Sequence, residues 1–405
     1  MSPATRLVSL VFFALAACAS PIVTIHDNGI SVPLTKRVNI TSGHAVLASD
    51  RARAEHLRTS RLSNASPQAR ASAPVTNEAV IYTAAVDVGS PPTTFNLIVD
   101  TGSSNTWVGA VTRFTPTSTT TSTGSLVEVT YGSGFVLGEE FIDTVSLGEG
   151  LTVPKQSIGA AIISEGFSPD DGIIGIGPVD LTEGTTDADT VPTITDNLFT
   201  QGTISTEVIG ISFQPATSDS ATNGELTFGG TDSSKFTGDI TFTPITSTSP
   251  ASEFWGIDQT VAYGDDTILP TTAGIVDTGT TLLLLATDAF DAYTAATGAT
   301  PDSTTGLLSV TPEQFAALKS LFFTIGGTTF EFTPNAQLWP RSLNADIGGD
   351  PDGIFLIVGD LGTDSGEGLD FINGFAFLER FYSVFDTTNS RVGFATTPFT
   401  NATTN

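Results

Sequence analysis

The stretch Val99–Trp107 reads VDTGSSNTW, and Val276–Leu284 reads VDTGTTLLL. The two Asp-Thr-Gly copies lie 177 residues apart in a chain of 405 residues. Solenoid repeats recur every 20 to 50 residues or so and in several copies, so this duplication is not a solenoid signature. In both copies an apolar run leads into Asp-Thr-Gly, and hydroxyl residues follow. The pattern predicts two equivalent strand-to-turn units, one in each half of the chain.

Two such turns would bring the carboxyl groups of Asp100 and Asp277 together. Glycine lets each turn bend sharply and approach its neighbour closely, and the hydroxyl residues can hold a carboxylate from the side. Carboxyl groups a few ångström apart cannot both ionise easily, so they share a proton and titrate separately. One can then deprotonate a water while the other polarises a carbonyl. A single copy is more often an ordinary β-turn, but two matched copies favour a paired acid site.

The distribution of cysteine and histidine excludes other chemistries. Cys18 and the three histidines, His26, His44 and His56, all precede the strand-like sequence that begins near Val75. The body of the chain therefore lacks the residues of Ser-His-Asp and Cys-His catalysis and the usual nitrogen and sulfur ligands of zinc. We expect no metal, no cofactor and no disulfide. A domain of this length can be stabilised by core burial without disulfides.

Charge divides the chain near residue 73. Residues 1–73 carry eight of the 15 basic residues and three of the 43 acidic ones, a net charge of +5, which leaves −33 for residues 74–405. So acidic a body repels nucleic acid and anionic membrane surfaces, and we expect neither as a partner. Acidity also favours solubility, and it is typical of proteins that work at acid pH.

The domain organisation follows from composition. Residues 1–19 hold Arg6 and then an apolar run too short for a membrane span, which indicates a secretory signal peptide and a secreted, extracellular protein rather than a vacuolar one. Residues 20–73 read as a basic propeptide. The remaining residues are more than one hydrophobic core usually accommodates, so we expect an N-terminal β lobe over 74–245 and a C-terminal β lobe over 246–405.

Sequons at Asn39, Asn64 and Asn401 predict a glycoprotein.

The local pattern predicts mainly β structure with few short helices. Short β-branched runs are separated by Gly, Pro, Asn and Asp. The predicted helices are Thr193–Gln201, Thr287–Thr297 and Thr311–Leu318, and residues 51–58 have some helical character. The last of the three predicted helices begins with Thr311 as N-cap and Gln314 in a capping box. A second pair of similar segments, each an apolar run interrupted by Gly, is DGIIGIG at Asp171–Gly177 and FINGFAF at Phe371–Phe377. This second repeat indicates a doubled β domain, with the cleft where the two Asp-Thr-Gly turns meet.

Together these motifs resemble the pepsin-like aspartic proteases, over essentially the whole region after the propeptide. The resemblance implies a two-lobed double β-barrel fold with the active-site cleft between the lobes. It implies Asp100 and Asp277 as the catalytic pair. Ser103 and Thr280 would then bond the outer carboxylate oxygens, while Thr101 and Thr278 would cross-link the turns. The residues that support the pair are Thr101, Gly102, Ser103, Thr278, Gly279 and Thr280.

The segment VTYGSG at Val129–Gly134 resembles the flap of that family. Taken alone, YGSG is an ordinary hairpin tip, but it lies about 30 residues after Asp100, where the family has its flap, which can close over a peptide. The flap and substrate-binding residues are then Tyr131, Gly132, Ser133 and Trp107, with Trp107 as the partner of Tyr131.

Two positions depart from the family pattern. FINGFAF places Asn373 before Gly374, and Phe375 where an Asp is usual, so we expect different packing behind Asp277 without loss of the acid pair. Thr281 stands where many relatives have Ser, which keeps the hydroxyl. The absence of disulfides is similar to secreted fungal members of the polyporopepsin type.

The sequence therefore predicts a secreted aspartic endopeptidase, made as a zymogen and monomeric, that hydrolyses peptide or protein substrates at acid pH. Its own propeptide would act as an intramolecular inhibitor. The basic residue near the acid pair would be one of Lys36, Arg37, Arg51, Arg53 and Arg58. One alternative is a non-catalytic peptide-binding or inhibitor protein, although such relatives often lose an Asp or the flap Tyr. Another is a glycosidase with two carboxylates, which the symmetry of the turns disfavours.

Overall fold

The computed structural model describes residues 24–26, 29–59, 79–215, 218 and 220–404. The predicted signal peptide and the sequon at Asn64 lie outside the described residues. Strands are far more frequent than helices in the described chain, and they form two lobes, so the mainly β prediction is confirmed. No helix in the described ranges has the length and apolar character needed to span a membrane.

The strands, in chain order, are β1 (Thr24–His26), β2 (Gly29–Asn39), β3 (Ala79–Val88), β4 (Thr93–Asp100), β5 (Thr106–Val108), β6 (Thr121–Tyr131), β7 (Gly134–Ser146), β8 (Thr152–Glu165), β9 (Gly172–Gly175), β10 (Val208–Ser212), β11 (Ser220–Phe228), β12 (Thr237–Pro244), β13 (Gly256–Tyr263), β14 (Asp266–Val276), β15 (Leu283–Leu285), β16 (Thr300–Pro301), β17 (Leu308–Ser309), β18 (Leu321–Ile325), β19 (Thr328–Phe332), β20 (Phe355–Leu356), β21 (Val358–Asp360), β22 (Phe371–Asn373), β23 (Phe381–Asp386) and β24 (Arg391–Thr396). The α-helices are α1 (Gly43–Thr59), α2 (Ile194–Thr200), α3 (Thr287–Thr297), α4 (Pro312–Ala316) and α5 (Phe375–Leu378). Short 3₁₀ turns cover Val179–Thr182, Ala251–Glu253 and Arg341–Leu343.

The predicted helices are present, with small differences at their ends. Thr193 and Thr311 cap α2 and α4 through capping boxes, as expected for Thr311 from its sequence. Helix α3 has the predicted bounds, and Gly298 closes it in the left-handed conformation. Helix α4 ends at Ala316, two residues earlier than predicted, and residues 317–320 connect it to β18.

The two lobes repeat one arrangement of strands. In the first, β4 pairs in parallel with β9, and β5 runs antiparallel to β9 and parallel to β8. In the second, β14 pairs in parallel with β22, and β15 runs antiparallel to β22 and parallel to β21. Val99 lies opposite Ile174, and Val276 lies opposite Asn373. The sequence echo DGIIGIG and FINGFAF therefore marks structurally equivalent strands, as predicted.

One large sheet joins the first lobe to the ends of the chain. Its order is β12-β24-β23-β10-β11-β2-β3-β4-β9-β5-β8-β7-β6, whereas the second lobe is built on β19-β18-β13-β14-β22-β15-β21. The hairpin β23–β24 closes the chain, and Asp386 at its turn pairs with Arg391 at 2.6 Å. Asp386 therefore ends β23, directly before the turn of this hairpin.

The first strands lie earlier in the chain than the sequence pattern indicated. The expectation that strands begin near Val75 is wrong, because β2 is an 11-residue strand inserted between β3 and β11. Its inward-facing residues, among them Val32 and Leu34, are fully buried in the main core. Residues 29–59, called the N-terminal segment below, therefore belong to the folded body.

A buried carboxyl group predicts a pH-dependent loss of stability. Glu140 on β7 is 4% exposed, and its Oε2 has no hydrogen-bond partner within the described residues. Burial raises its pKa to about 7, against a lowering by the hydroxyl of Ser157. Stability is then greatest below the ordinary Glu value of 4.5 and falls as pH rises through about 7. The shift corresponds to roughly 3 kcal/mol of unfolding free energy as an upper bound.

We therefore expect Glu140→Gln to lose much less stability than the wild type between pH 4.5 and pH 8 in urea unfolding. Glu139→Gln is the matched control, because Glu139 is the neighbouring residue on β7 but is exposed. Equal pH dependence of Glu140→Gln and the wild type would show that Glu140 does not ionise in this range.

Candidate active site

The two Asp-Thr-Gly turns meet at the boundary of the lobes. Asp100 ends β4 and Asp277 directly follows β14, so equivalent strands deliver both carboxyl groups. The two residues are 1% and 0% exposed. A Cβ on Gly102 would lie 2.7 Å from Oδ1 of Asp277, and one on Gly279 would lie 2.7 Å from Oδ1 of Asp100. Only glycine leaves room for each carboxyl group to face the opposite turn.

Each carboxyl group is held by its own turn in the same way. The N–H of Gly102 donates to Oδ1 of Asp100 at 3.0 Å, and Ser103 Oγ donates to its Oδ2 at 2.5 Å. In the second turn, Gly279 N donates to Oδ1 of Asp277 at 3.1 Å, and Thr280 Oγ1 donates to its Oδ2 at 2.6 Å. Hydrogen bonds to a carboxylate fix its orientation.

A reciprocal threonine link ties the turns to each other. Thr101 N donates to Thr278 Oγ1 at 3.0 Å, and Thr278 N donates to Thr101 Oγ1 at 2.9 Å. The hydroxyl of Thr101 donates to Val276 O, and that of Thr278 donates to Val99 O at 2.8 Å. Four bonds between buried groups therefore set the distance between the two strands that carry the carboxyl groups.

We expect Thr278→Val to weaken both the fold and the site. Valine keeps the shape but removes one acceptor and one donor, which leaves Thr101 N and Val99 O unpaired in a buried region. The unfolding free energy should fall by about 1–3 kcal/mol, and turnover should fall at least about tenfold because the carboxyl groups shift. Thr324→Val is the control, since it removes only an exposed threonine pair with Thr329. Unchanged turnover in folded Thr278→Val would contradict this role.

The hairpin β6–β7 covers the acid pair. Gly132 and Ser133 form its two-residue tip, and Tyr131 before the tip accepts a hydrogen bond from Trp107 Nε1 at 2.9 Å. Burial, then the nearby Asp100, raises the pKa of the Tyr131 hydroxyl. Phe167, which the sequence did not single out, packs edge-on against both aromatic rings. The structure thus brings the predicted flap residues together with the predicted residues of the two turns.

The side chain of Arg53 occupies the space between the carboxyl groups. Arg53 lies on α1, and its Nη2 donates to Oδ1 of Asp100 at 2.6 Å and to Oδ1 of Asp277 at 2.9 Å. Its Nε donates to Oδ2 of Asp277 at 2.6 Å. The Oδ1 atoms of Asp100 and Asp277, called the inner oxygens below, both accept from Nη2 of Arg53. They therefore lie within two hydrogen-bond lengths of each other. Among the five basic candidates of the N-terminal segment, the structure selects Arg53.

The two carboxyl groups have different electrostatic environments. Burial raises the pKa of Asp100, although Arg53 lowers it. Burial acts in the same direction on Asp277, but the charge of Arg53 and its two hydrogen bonds outweigh it, so the pKa of Asp277 is lowered. A pair of nearby carboxyl groups with separated pKa values can hold one proton between them.

A second residue of α1, Asp50, binds the turn after Asp277. Its two oxygens accept the N–H groups of Thr281 at 3.1 Å and Leu282 at 2.8 Å. Burial raises the pKa of Asp50 to about 7, against the two N–H bonds that lower it. The sequence did not single out Asp50, and its only signal was its position one helical turn before Arg53.

Comparison with known proteins agrees with this geometry. Residues 81–397 match the family described as Eukaryotic aspartyl protease. Polyporopepsin of Irpex lacteus is 63% identical over 341 residues, which span 83% of this chain and 100% of that protein. Gastricsin of Cavia porcellus is 31% identical over 78% of this chain and 80% of its own length. The crystal structure of the aspartic proteinase from Irpex lacteus superimposes with a TM-score of 0.79 at 63% identity, over 80% of this chain and 96% of that one. The chain therefore belongs to the eukaryotic aspartyl protease family, as a pepsin-like aspartic endopeptidase.

Proposed function

We propose that this protein is the zymogen of a secreted acid endopeptidase in which Asp100 and Asp277 activate water for peptide hydrolysis. The observation that carries the proposal is the shared environment of the two carboxyl groups. Equivalent turns hold them, the threonine link fixes their separation, and one guanidinium nitrogen bonds both. The site lies in a cleft that the flap hairpin covers.

In the matured enzyme the Arg53 side chain is absent, and the carboxyl groups face each other. Like charges this close favour a singly protonated pair. The ionised group accepts a proton from a water placed between them, and the protonated group donates a hydrogen bond to the carbonyl oxygen of the substrate. The oxygen of that water bonds the carbonyl carbon, and the C–N bond then breaks as the acid pair passes a proton to the leaving nitrogen, so no covalent intermediate with the enzyme forms. Ser103 and Thr280 hold the outer oxygens, so that the inner ones point at the water and the carbonyl.

The N-terminal segment inhibits the enzyme by occupying this cleft. Arg53 neutralises the acid pair, and a Cβ on Gly132 would lie 2.3 Å from the backbone of Arg53, so the flap rests directly on α1. Arg51 extends the contact by pairing with Asp360 at 2.7 Å. No peptide substrate can reach the carboxyl groups while α1 stays in place.

A second attachment lies on β2, away from the cleft. Lys36 is 1% exposed and bonds Glu379 at 2.9 Å. Burial raises the pKa of Glu379, against the lowering by Lys36. Since a buried ion pair broken on one side leaves an uncompensated charge, release of β2 at neutral pH is costly. Protonation of Glu379 at acid pH removes that cost, which supports activation by acid.

Secretion, monomeric state and glycosylation complete the proposal. The apolar run after Arg6 supports export, and Asn401 is exposed and available for glycosylation. We also propose that the protein is monomeric.

The matured protein should cleave denatured haemoglobin or casein at pH 3–5, and pepstatin should abolish the cleavage. N-terminal sequencing of the active form should show a start near residue 74, after the N-terminal segment. Failure of correctly matured protein to cleave either substrate would favour the non-catalytic peptide-binding alternative. Cleavage insensitive to pepstatin would contradict the role of the acid pair.

A further inference from the structure

A buried pair of amide side chains lies behind the second Asp-Thr-Gly turn. Asn373 Nδ2 donates to Gln259 Oε1 at 2.8 Å, and Gln259 Nε2 donates to Asn373 Oδ1 at 3.2 Å. Both residues are 0% exposed. Each side chain thus serves the other as donor and acceptor, so the pair has one favoured relative arrangement.

The pair bridges the strand that ends at Asp277. Gln259 lies on β13 and Asn373 on β22, and β14 runs between these two strands. Gln259 is opposite Thr272, and Asn373 is opposite Val276, so both side chains share one face of the sheet with Gly274. Gly274 has no side chain, and Phe371 fills the space beside it, with its carbonyl oxygen 2.4 Å and its ring 2.5 Å from where a Cβ would lie. The bridge therefore fixes the two neighbours of β14 relative to each other.

Asn373 also contacts the catalytic residue through its backbone. The N–H of Asp277 donates to the carbonyl oxygen of Asn373 at 3.2 Å. A shift of β22 along β14 would move this acceptor and, with it, the start of the turn that holds the Asp277 carboxyl group.

The first lobe provides an internal comparison at the same positions. Ile174 lies opposite Val99, as Asn373 lies opposite Val276. Val86 lies opposite Phe95, four residues before Val99, as Gln259 lies opposite Thr272, four residues before Val276. Val86 and Ile174 are also 0% exposed. The first lobe therefore has apolar side chains at both positions, with Leu97 between them where the second lobe has Gly274, and of these two strand sets that of Asp277 has the amide pair.

We infer that Gln259 and Asn373 are positioning residues that hold Asp277 in its catalytic orientation. Apolar side chains of similar volume fill such a site without a fixed register, whereas paired amides specify one register between strands. The inference rests on the proposed function, because it concerns the orientation of a carboxyl group that activates water.

The decisive variant is the double replacement Gln259→Val with Asn373→Ile, which introduces the residue types of the first lobe at both positions and leaves no unpaired amide. We expect a thermal midpoint above that of Asn373→Ile alone, because no amide is left unpaired, and below that of the wild type, because Ile is larger than Asn at this fully buried site. In the matured enzyme, kcat should fall at least about tenfold, since small displacements of reacting groups cost up to about 10²-fold. KM should change less than about threefold, and the acid limb of the pH profile should move because the environment of Asp277 changes.

Three further variants separate positioning from packing. Asn373→Ile alone leaves the Gln259 amide unpaired and should lower both the thermal midpoint and kcat. Asn373→Asp should retain activity near pH 3, where the introduced carboxyl group is neutral and can still bond Gln259, and should lose it as that group ionises. Tyr293→Phe is the control, because it breaks a buried 2.8 Å bond to Gln337 in the same lobe; it should lower stability and leave kcat unchanged.

Wild-type kcat and an unchanged pH profile in the double variant would overturn the inference, as would an equal loss of kcat in Tyr293→Phe. Failure of the proposed function looks different. In that case the matured wild type does not cleave haemoglobin, or Asp277→Asn cleaves it normally.

Discussion

Asp277→Asn should lower kcat of the matured enzyme by at least about 10⁴-fold, which is the largest effect we expect. Asparagine is nearly isosteric: its Oδ1 can still accept from Gly279 N, and its Nδ2 can donate to the hydroxyl oxygen of Thr280, which reverses the present bond, so the fold should be retained. It cannot share a proton with Asp100, and acid and base roles are lost together because the pair acts as a unit. The measurement is the initial rate of cleavage of a peptide substrate at the pH optimum of the wild type.

Asp100→Asn should show a loss of the same order, and the double variant should lose little more than either single variant. Non-additivity is the signature of groups that act in one step. Asp386→Asn provides the matched control, because Asp386 is a carboxyl group of 1% exposure in the second half of the chain, far along the chain from both turns. Substantial hydrolysis by folded Asp277→Asn, or a comparable loss in Asp386→Asn, would refute the assignment of the pair.

If the N-terminal segment inhibits the enzyme as we propose, Arg53→Met should make the unprocessed protein cleave substrate. Methionine keeps an apolar stem but removes the guanidinium group, and truncating one partner of a buried ion pair costs about 3–5 kcal/mol. We therefore expect at least about 100-fold more activity than the wild-type precursor has. The measurement is peptide cleavage by freshly diluted full-length protein, with electrophoresis to show that the chain is uncut.

Arg51→Met is the control for this experiment. Its side chain is 42% exposed, and its ion pair with Asp360 is accordingly weak. The gain in activity should stay below about tenfold. A folded Arg53→Met precursor as latent as the wild type would show that α1 blocks the cleft without help from its charge.

The effect of Arg53→Met should be larger near neutral pH than at acid pH. The pKa of Asp277 is lowered while α1 is docked, so its contribution to docking is complete above the ordinary Asp value and is lost as pH falls through the lowered value. The pKa of Asp100 is raised, so that carboxyl group takes up its proton first. Acidification therefore weakens the ion pairs of Arg53 with the two carboxyl groups in two steps. As pH falls, the activity of the unprocessed wild type approaches that of Arg53→Met.

Local sequence signals predicted the features that depend on a few neighbouring residues. The capping box at Thr311, the hairpin tip after Tyr131 and the two Asp-Thr-Gly turns follow from the hydrogen-bonding and backbone preferences of the residues themselves. The absence of Cys and His after the first 56 residues narrowed the chemistry to carboxyl groups. Recognising that Asp-Thr-Gly occurs twice was enough to pair Asp100 with Asp277.

Contacts between distant segments could not be obtained in this way. Five basic residues were equal candidates for the cleft, and only the docking of α1 selects Arg53. The unusual Asn373 was visible in the sequence, but its partner Gln259 is 114 residues away, with no local signal to connect them. The strand β2 lacked a strong strand pattern and is stabilised by its neighbours β3 and β11.

The sequence by itself determined which two carboxyl groups meet, because duplicated turns of fixed residue type specify these groups and the groups that hold them. The tertiary structure alone decided which charge neutralises that pair, which acid caps the turn after Asp277, and which amides brace it. Those choices depend on distances between side chains far apart in the chain, and such distances are set only when strands and lobes pack together.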